Sequence, residues 1–243
     1  MLPLTRGAYT ARPAATSAEV AAAQALRHLS FRAARGLAAE IGHDSDRFDA
    51  TCQHMLVTET ATGRLVCCYR VMALTGGTIG QSYAAQFYGL ANLAAFPGPL
   101  LELGRFCLHP DCHDPDILRL AWAALTRLVD DTGTKLLFGC SSFQGTDPRP
   151  HHPALSYLAT HHLAPPQWSP GIKARDTIDL RHLTAKPDRA AMPALLQTYL
   201  AMGAWVSDHA VIDRELNTLH VFSGLQIATI PPGRARALRA LAG

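Results

Sequence analysis

The run Leu100–Leu108 constrains the fold most, because it sets a carboxylate and a guanidinium inside an apolar strand. Bulky apolar residues at both alternating positions predict a strand that is covered on both faces. Burying Glu or Arg without a partner is costly, so Glu102 and Arg105 are expected to be paired or to face a cleft. Their odd spacing places them on opposite faces of a regular strand. A bulge at Gly104 would turn both toward one site, and a purely structural ion pair is the alternative.

The composition describes a globular protein of 243 residues with a sizeable core, since 48% of its residues are hydrophobic. A net charge of +3 is too weak to indicate nucleic-acid binding. The six cysteines form no CxxC pair, which is typical of reduced thiols. The N-terminus lacks signal-peptide character and no window predicts a membrane-spanning helix. We therefore expect a cytoplasmic protein that binds no nucleic acid.

Apolar periodicity predicts strands and helices along the whole chain. The predicted strands lie at 7–13, 54–60, 64–74, 100–108, 135–143, 173–180 and 217–230. The predicted helices lie at 17–39 with Ser17 as its cap, within 81–96, at 116–131, 154–162 and 189–202, and after Pro231-Pro232. No repeat or linker interrupts this order. We predict one mixed α/β (α+β) domain over 1–243, with a C-terminal extension from about 185 packed on it.

Two histidine patterns are further candidates. His109 and Asp114 form an H-x4-D pattern, in which an Asp could orient a His that deprotonates a hydroxyl. The doublets 151–152 and 161–162 could suggest a metal. Adjacent helical residues point about 100° apart, however, and no acidic or Cys partner stands at ligand spacing, so surface or capping roles are favoured and no metal is expected.

The stretch 138–147 ends a predicted strand with small residues. Gly139, Ser141 and Ser142 leave room for a ligand to approach the backbone before a Gly-Thr-Asp turn. A tight turn is the alternative. Beside the strand of Glu102, the stretch is expected to form the second wall of a cleft.

A sparse set of charged and aromatic residues resembles the pattern of acyl-homoserine-lactone (autoinducer) synthases, which have the GNAT fold and take acyl groups from acyl carrier protein. The matching residues are Arg27, Phe31, Asp46-Arg47-Phe48-Asp49, Arg70, Glu102 and Arg105. This resemblance ends near residue 110.

A more specific resemblance covers about residues 20–230 and is to the ornithine N-acyltransferases that make ornithine lipid. The matching segments are 48–49, 101–105, 137–147, 154–158, 161–165, 199–204 and 208–218. The resemblance implies a GNAT-like fold, with a central mixed, mostly antiparallel sheet flanked by helices. It also implies transfer of a 3-hydroxyacyl group from acyl carrier protein to the α-amine of L-ornithine. The product is lyso-ornithine lipid, the first intermediate of ornithine lipid biosynthesis.

The same resemblance sets the expected cofactors and partners. The acyl donor is a 4′-phosphopantetheine thioester on acyl carrier protein, and no permanently bound cofactor or metal is expected. Because the product is a lipid, we expect peripheral contact with the inner face of the cytoplasmic membrane. The acceptor could instead be glutamine, lysine or glycine. From another class, the chain could be a non-catalytic carrier-protein-binding GNAT-fold protein.

Roles follow for the matching residues. Glu102 is the catalytic candidate, either accepting the amine proton or binding the ammonium of ornithine as a carboxylate. Arg70 and Arg105 suit a bidentate grip on a carboxylate. Asp46 and Asp49 could bind the side-chain ammonium or anchor a loop, and helix capping by Asp46 is an alternative. The full set of expected substrate- or donor-binding residues is Arg27, Phe31, Asp46, Asp49, Arg70, Arg105, Ser141, Ser142 and Phe143.

Two charged segments give further predictions about the acyl donor and the membrane. The loop 111–116, where this fold normally binds pyrophosphate through glycines, is acidic and glycine-free, which favours a carrier-protein donor over coenzyme A. Arg234, Arg236 and Arg239 lie on the predicted C-terminal helix and could attract it to an anionic membrane. A solvated polar face is the alternative.

Overall fold

The structure, a computed structural model, describes residues 2–38 and 41–242. The helices are α1 (Ser17–Phe31), α2 (Pro115–Asp131), α3 (His152–His161), α4 (Ala194–Ala201) and α5 (Pro232–Ala242). The strands are β1 (Leu4–Arg6), β2 (Tyr9–Pro13), β3 (Gln53–Glu59), β4 (Leu65–Leu74), β5 (Tyr88–Gly89), β6 (Leu100–Leu108), β7 (Leu136–Gln144), β8 (Gly171–Ile172), β9 (Thr177–Asp179), β10 (Trp205–Asp213) and β11 (Thr218–Gln226).

The chain divides into two compact units. Unit 1 comprises Met1–Ala73, Leu103–Gly133 and Pro232–Gly243, and unit 2 comprises Leu74–Glu102 and Thr134–Pro231. Strand β6 contributes its first three residues to unit 2 and the others to unit 1. That the chain 1–243 behaves as one domain with a packed extension stays a prediction.

Unit 1 is built on strands in the order β1-β2-β3-β4-β6, with antiparallel pairing from β1 to β4. Helix α1 begins after Thr16, which forms a capping box with Glu19, so the prediction of Ser17 as the cap is wrong by one residue. Helix α2 begins with Pro115 after the capping residue Asp114, and it packs against β2 and α5. A buried apolar cluster that includes Leu26 of α1 fills the space beside β3 and β4. Burial of this apolar surface holds α1 on the sheet.

Unit 2 is built on strands in the order β6-β7-β11-β10-β9. The first residues of β6 pair in parallel with β7, and the remaining pairs are antiparallel. The predicted GNAT-like fold, a mixed and mostly antiparallel sheet with flanking helices, is confirmed. Among the described residues, no helix is long and apolar enough to span a bilayer.

The first predicted helix is too long. Helix α1 ends at Phe31, because Arg32 leaves helical geometry at φ −122° and Gly36 adopts the left-handed conformation at φ 68°. The alanines that favour a longer helix follow this break. Ala39, the predicted end, lies outside the described residues.

Two other predictions need correction. The segment 81–96 is not α-helical: it forms short 3₁₀ turns around β5, which pairs with β8. Strand β10 is absent from the predicted strands, because Ser207, Asp208 and His209 interrupt its apolar pattern at a bulge between Val206 and Ala210.

Candidate functional site

Unit 1 contains a buried network of arginines and aspartates that begins on helix α1. Arg27 is 1% exposed and donates from Nε to Asp44 and from Nη1 to Asp49, both at 2.8 Å. Burial alone would raise the pKa of Asp49, but hydrogen bonds and charges from Arg27 and Arg70 outweigh it and leave that pKa below its usual range. Asp44 was not among the predicted site residues, although its place in the acidic run 44–49 was a signal for it.

Two strand arginines complete this network. Arg70 on β4 donates to Asp46 at 2.6 and 2.7 Å and to Asp49 at 2.5 Å. Arg105 on β6 donates to Asp44 at 2.9 Å and to Asp46 at 3.1 Å. The aspartates therefore tie their loop to α1, β4 and β6, which supports the predicted anchoring role. That these arginines also bind a substrate carboxylate stays a prediction.

The irregularity predicted in β6 lies at Arg105 rather than at Gly104. Arg105 has φ 53°, a conformation that costs a non-glycine residue about 1–2 kcal/mol, whereas Gly104 has no positive φ. The hydrogen bonds from Arg105 to Asp44 and Asp46 hold its side chain in place and compensate for this cost. That Glu102 and Arg105 face one site stays a prediction.

We expect Gly104→Ala to leave the free energy of unfolding unchanged or to raise it by up to about 1 kcal/mol, because alanine reduces the entropy of the unfolded chain. An added Cβ would meet only the Arg70 side chain, at an ordinary 3.8 Å from Nε and 4.0 Å from Cγ. The matched control is Gly145→Ala at φ 86°, which should lower the free energy of unfolding by about 1 kcal/mol. Urea denaturation measures both, and a loss at Gly104 equal to that at Gly145 would contradict the expectation.

In unit 2, Glu102 is 5% exposed and is bound by the backbone of the segment that precedes β5. Its two carboxylate oxygens accept hydrogen bonds from the backbone N–H groups of Tyr83 and Ala84, each at 2.8 Å. Two N–H donors stabilise the ionised carboxylate. The Glu102 carboxylate is therefore held in place near the start of β6, and in its ionised form it is suited to binding an ammonium group or to accepting a proton from it.

Strand register separates the predicted wall residues between the two faces of the unit 2 sheet. Glu102 pairs with Phe138, which places Ser142 on the same face and Ser141 and Phe143 on the opposite face. Ser142 is exposed, whereas Ser141 Oγ accepts a hydrogen bond from Ser223. Phe143 is buried with its ring 5.2 Å from that of His151. Of the three, only Ser142 can line the predicted wall on the Glu102 face, because adjacent strand residues alternate sides. That Ser141, Ser142 and Phe143 bind substrate or donor stays a prediction.

A buried polar cluster on the Glu102 face was not predicted from the sequence. It consists of Tyr88, His209 and His220, each at most 2% exposed. The ring of Tyr88 lies 5.2 Å from that of His209 and 5.6 Å from that of His220. The signal was His220 itself, the one titratable side chain of β11, which stands between Leu219 and Val221.

The remaining candidates have structural partners in unit 1. Asp114 caps helix α2 through Asp116 N and accepts a hydrogen bond from the hydroxyl of Tyr9, which explains its position without chemistry. Among the described residues, no hydrogen bond joins His109 to Asp114. Phe31 packs against the apolar cluster beside α1. No group of three or more metal-ligating side chains occurs among the described residues.

Comparison with known proteins identifies the family of this chain. The family model of the acetyltransferase (GNAT) domain matches residues 26–123. The L-ornithine N(alpha)-acyltransferase of Rhodobacter capsulatus is 34% identical over 227 residues, covering 88% of this chain and 88% of that protein. The chain belongs to the L-ornithine N(alpha)-acyltransferase family. The relative of the same name from Rhizobium meliloti is 32% identical and covers 90% of this chain and 80% of its own length.

The fold is shared more widely. A solved structure described as a CoA-dependent acyl-homoserine lactone synthase, BjaI, with MTA covers 94% of this chain and 83% of its own length. Its TM-score is 0.52 at 13% sequence identity, so this likeness concerns the fold alone. Both predicted resemblances are confirmed, and membership in an acyltransferase family confirms the prediction of an enzyme.

Proposed function

We propose that this protein transfers a 3-hydroxyacyl group from acyl carrier protein to the α-amine of L-ornithine, giving lyso-ornithine lipid. The observation that carries the proposal is the 34% identity to an L-ornithine N(alpha)-acyltransferase over 88% of both chains. The carboxylate of Glu102, held by two backbone N–H groups, supports the same chemistry, because an amine acceptor needs a group that holds or takes its proton.

The reaction is an attack of the neutral α-amine on the thioester carbonyl. The reference pKa of an α-amine is about 7.7–8.0, so a fraction of it is neutral near pH 7 and positioning matters more than a strong base. The amine nitrogen forms the new amide bond, the carbon–sulfur bond breaks, and the pantetheine thiolate leaves. Glu102 takes the proton that the nitrogen loses, directly or through water, and that proton then neutralises the thiolate.

The start of helix α2 supports a carrier-protein donor. In a fold that binds pyrophosphate, the N–H groups at this helix terminus would point at the phosphates. Here the Asp114 carboxylate accepts from Asp116 N at 2.9 Å and already supplies the negative charge. Asp111 and Asp116 add further negative charge nearby in the sequence. A carrier protein presents one phosphodiester and avoids most of this repulsion.

The test combines purified protein, 3-hydroxyacyl carrier protein and a panel of free amino acids, with products read by mass spectrometry. An N-acylated ornithine as the dominant product supports the proposal. Dominant acylation of glutamine, lysine or glycine would replace the acceptor, and carrier-protein binding with no product would favour a non-catalytic role. The corresponding 3-hydroxyacyl coenzyme A should be at least tenfold poorer in kcat/KM if the helix terminus repels pyrophosphate.

The site of action would be the inner face of the cytoplasmic membrane, where the lipid product belongs. Arg234 and Arg236 on α5 are exposed, whereas Arg239 donates to Asp130 at 2.9 Å. Each exposed basic residue near an anionic leaflet contributes about 1 kcal/mol of attraction. Because Asp130 offsets its charge, Arg239 should contribute less than predicted from the sequence.

We therefore expect Arg234→Gln together with Arg236→Gln to weaken flotation with anionic liposomes at low salt by about tenfold or more. Turnover on soluble carrier protein should not change. Arg239→Gln is the matched control and should change flotation less than the double variant. Flotation of the double variant equal to that of the parent at low and high salt would reject membrane attraction through α5.

A further inference from the structure

The buried cluster of Tyr88, His209 and His220 contains two ring nitrogens that form no hydrogen bond with the described part of the chain. Within residues 2–38 and 41–242, neither His209 Nε2 nor His220 Nε2 has a hydrogen-bond partner, although both side chains are at most 2% exposed. Such buried polar atoms normally have a partner, and each one without a partner needs an explanation. A polar group on a bound ligand is one explanation, because it could supply the missing hydrogen bond.

The hydrogen bonds of Tyr88 identify the form of the His220 ring. Tyr88 donates its single hydroxyl proton to the carbonyl oxygen of His220 at 2.9 Å. The 3.0 Å contact between the Tyr88 oxygen and His220 Nδ1 is then a hydrogen bond donated by Nδ1–H. Burial also lowers the pKa of His220 to about 4, so its ring is neutral near pH 7. His220 Nε2 is therefore a lone-pair acceptor that calls for a donor such as a hydroxyl.

The position of His220 connects this acceptor to the acyl-transfer chemistry. Ser142 on β7 lies directly opposite His220 on β11 and is exposed, so solvent reaches the neighbouring position on the same face. Glu102 is on this face too. Two strand spacings and four residues separate the Cα atoms of Glu102 and His220, about 16 Å in all. Both side chains extend from the same face of the sheet, so an acyl chain lying between them would run along that face.

The surroundings of His220 favour a neutral ligand on an apolar chain. The Phe87 ring lies 4.9 Å from the His220 ring, and Phe138 and Phe222 stack on the same face at 5.5 Å. An ammonium ion bound here would be costly to desolvate without a carboxylate against it. A hydroxyl group needs only the acceptor that Nε2 provides.

We propose that His220 is a specificity-determining residue whose Nε2 accepts a hydrogen bond from a hydroxyl group on the acyl chain of the donor. This rests on the proposed function, since it assumes that an acyl donor lies between Glu102 and His220. Tyr88 acts as a positioning residue, because it fixes the His220 ring so that Nε2 faces away from its own hydrogen bond. A chain without the hydroxyl would leave Nε2 buried and unpaired, which disfavours that donor.

The test compares kcat/KM for 3-hydroxyacyl and unsubstituted acyl carrier proteins of equal chain length. The parent should prefer the hydroxylated donor by at least about tenfold. His220→Asn keeps a donor to Tyr88 but lacks Nε2, and it should abolish the preference with little change for the unsubstituted donor. His220→Gln, whose amide reaches the Nε2 position, should retain part of the preference. His209→Asn is the matched control and should retain it fully.

The outcomes separate this inference from the proposed function. No preference in the parent, or an unchanged preference in His220→Asn, overturns the inference and means that Nε2 binds at most a water molecule. A raised KM for ornithine in His220→Asn with an unchanged donor ratio also overturns it, in favour of an ammonium site. If the parent acylates no ornithine, the proposed function fails, and the ratio of dissociation constants for the two carrier proteins still tests the hydroxyl contact.

Discussion

Replacing Glu102 with Gln is expected to lower kcat for ornithine acylation by roughly 10²–10⁴, the usual contribution of a positioned proton acceptor. The glutamine keeps an acceptor oxygen for only one of the backbone N–H groups of Tyr83 and Ala84, places its NH2 group against the other, and loses the negative charge. Because Gln is isosteric, helix content and the binding of acyl carrier protein should stay near those of the parent. Steady-state kinetics with a saturating acyl donor measure the effect.

The division between kcat and KM identifies the role of Glu102. A loss in kcat with an unchanged KM for ornithine indicates the proton acceptor, whereas a rise in KM alone indicates a carboxylate that binds the ammonium group. His109→Ala is the control and should stay within about twofold of the parent, since His109 contacts Arg64 and not Asp114. Full turnover by a folded Glu102→Gln variant would remove Glu102 from the mechanism.

Elements with strong local signals could be predicted from the sequence. Asp114 and Pro115 mark the start of α2, and its apolar residues recur at helical spacing, so the predicted helix at 116–131 agrees with Pro115–Asp131. Strand β6 was predicted with its observed bounds because bulky apolar residues occupy both alternating positions of the run. In both cases, local preference and burial favour the same structure.

Other elements depend on contacts that local sequence does not reveal. Strand β10 contains Ser207 and Asp208 at a bulge, where Ser207 Oγ donates to the His209 carbonyl and accepts from Phe222 N. Pairing with β11 compensates for this irregularity, and nothing in the β10 segment alone predicts it. The same holds for β6, where partners distant in sequence allow Arg105 rather than Gly104 to adopt a positive φ.

The candidate site also has some features that the sequence predicts and others that depend on contacts distant in sequence. The spacing within the Asp46–Asp49 run and its match to Arg27 and Arg70 were visible as a sequence pattern. The distribution of Ser141 and Ser142 between two faces follows from strand alternation alone. The ring nitrogens of His220 could not be assigned from sequence, because the assignment depends on Tyr88, 132 residues away.

The arginine–aspartate network of unit 1 is expected to contribute strongly to the free energy of unfolding. Arg27→Met is expected to lower the free energy of unfolding by about 3–5 kcal/mol, because it leaves the buried carboxylates of Asp44 and Asp49 short of positive charge. Methionine preserves much of the side-chain volume, so the loss reports charge rather than a cavity. The matched control is Arg119→Met, which breaks an exposed pair with Asp116 and should cost less than about 1 kcal/mol.

The network also predicts a pH dependence. The pKa values of Asp46 and Asp49 are held below those of unfolded aspartates, near 3.9, because their arginine partners outweigh the effect of burial. Their stabilising contribution is therefore fully present above about pH 4 and is lost as the pH falls through the folded-state values, since the unfolded chain takes up protons first. Urea denaturation at pH 7 and pH 3.5 should show a smaller difference for Asp49→Asn than for the parent. If Arg27→Met costs no more than Arg119→Met and Asp49→Asn keeps the parental pH dependence, the network does not stabilise the loop, and its arginines are the better candidates for binding substrate.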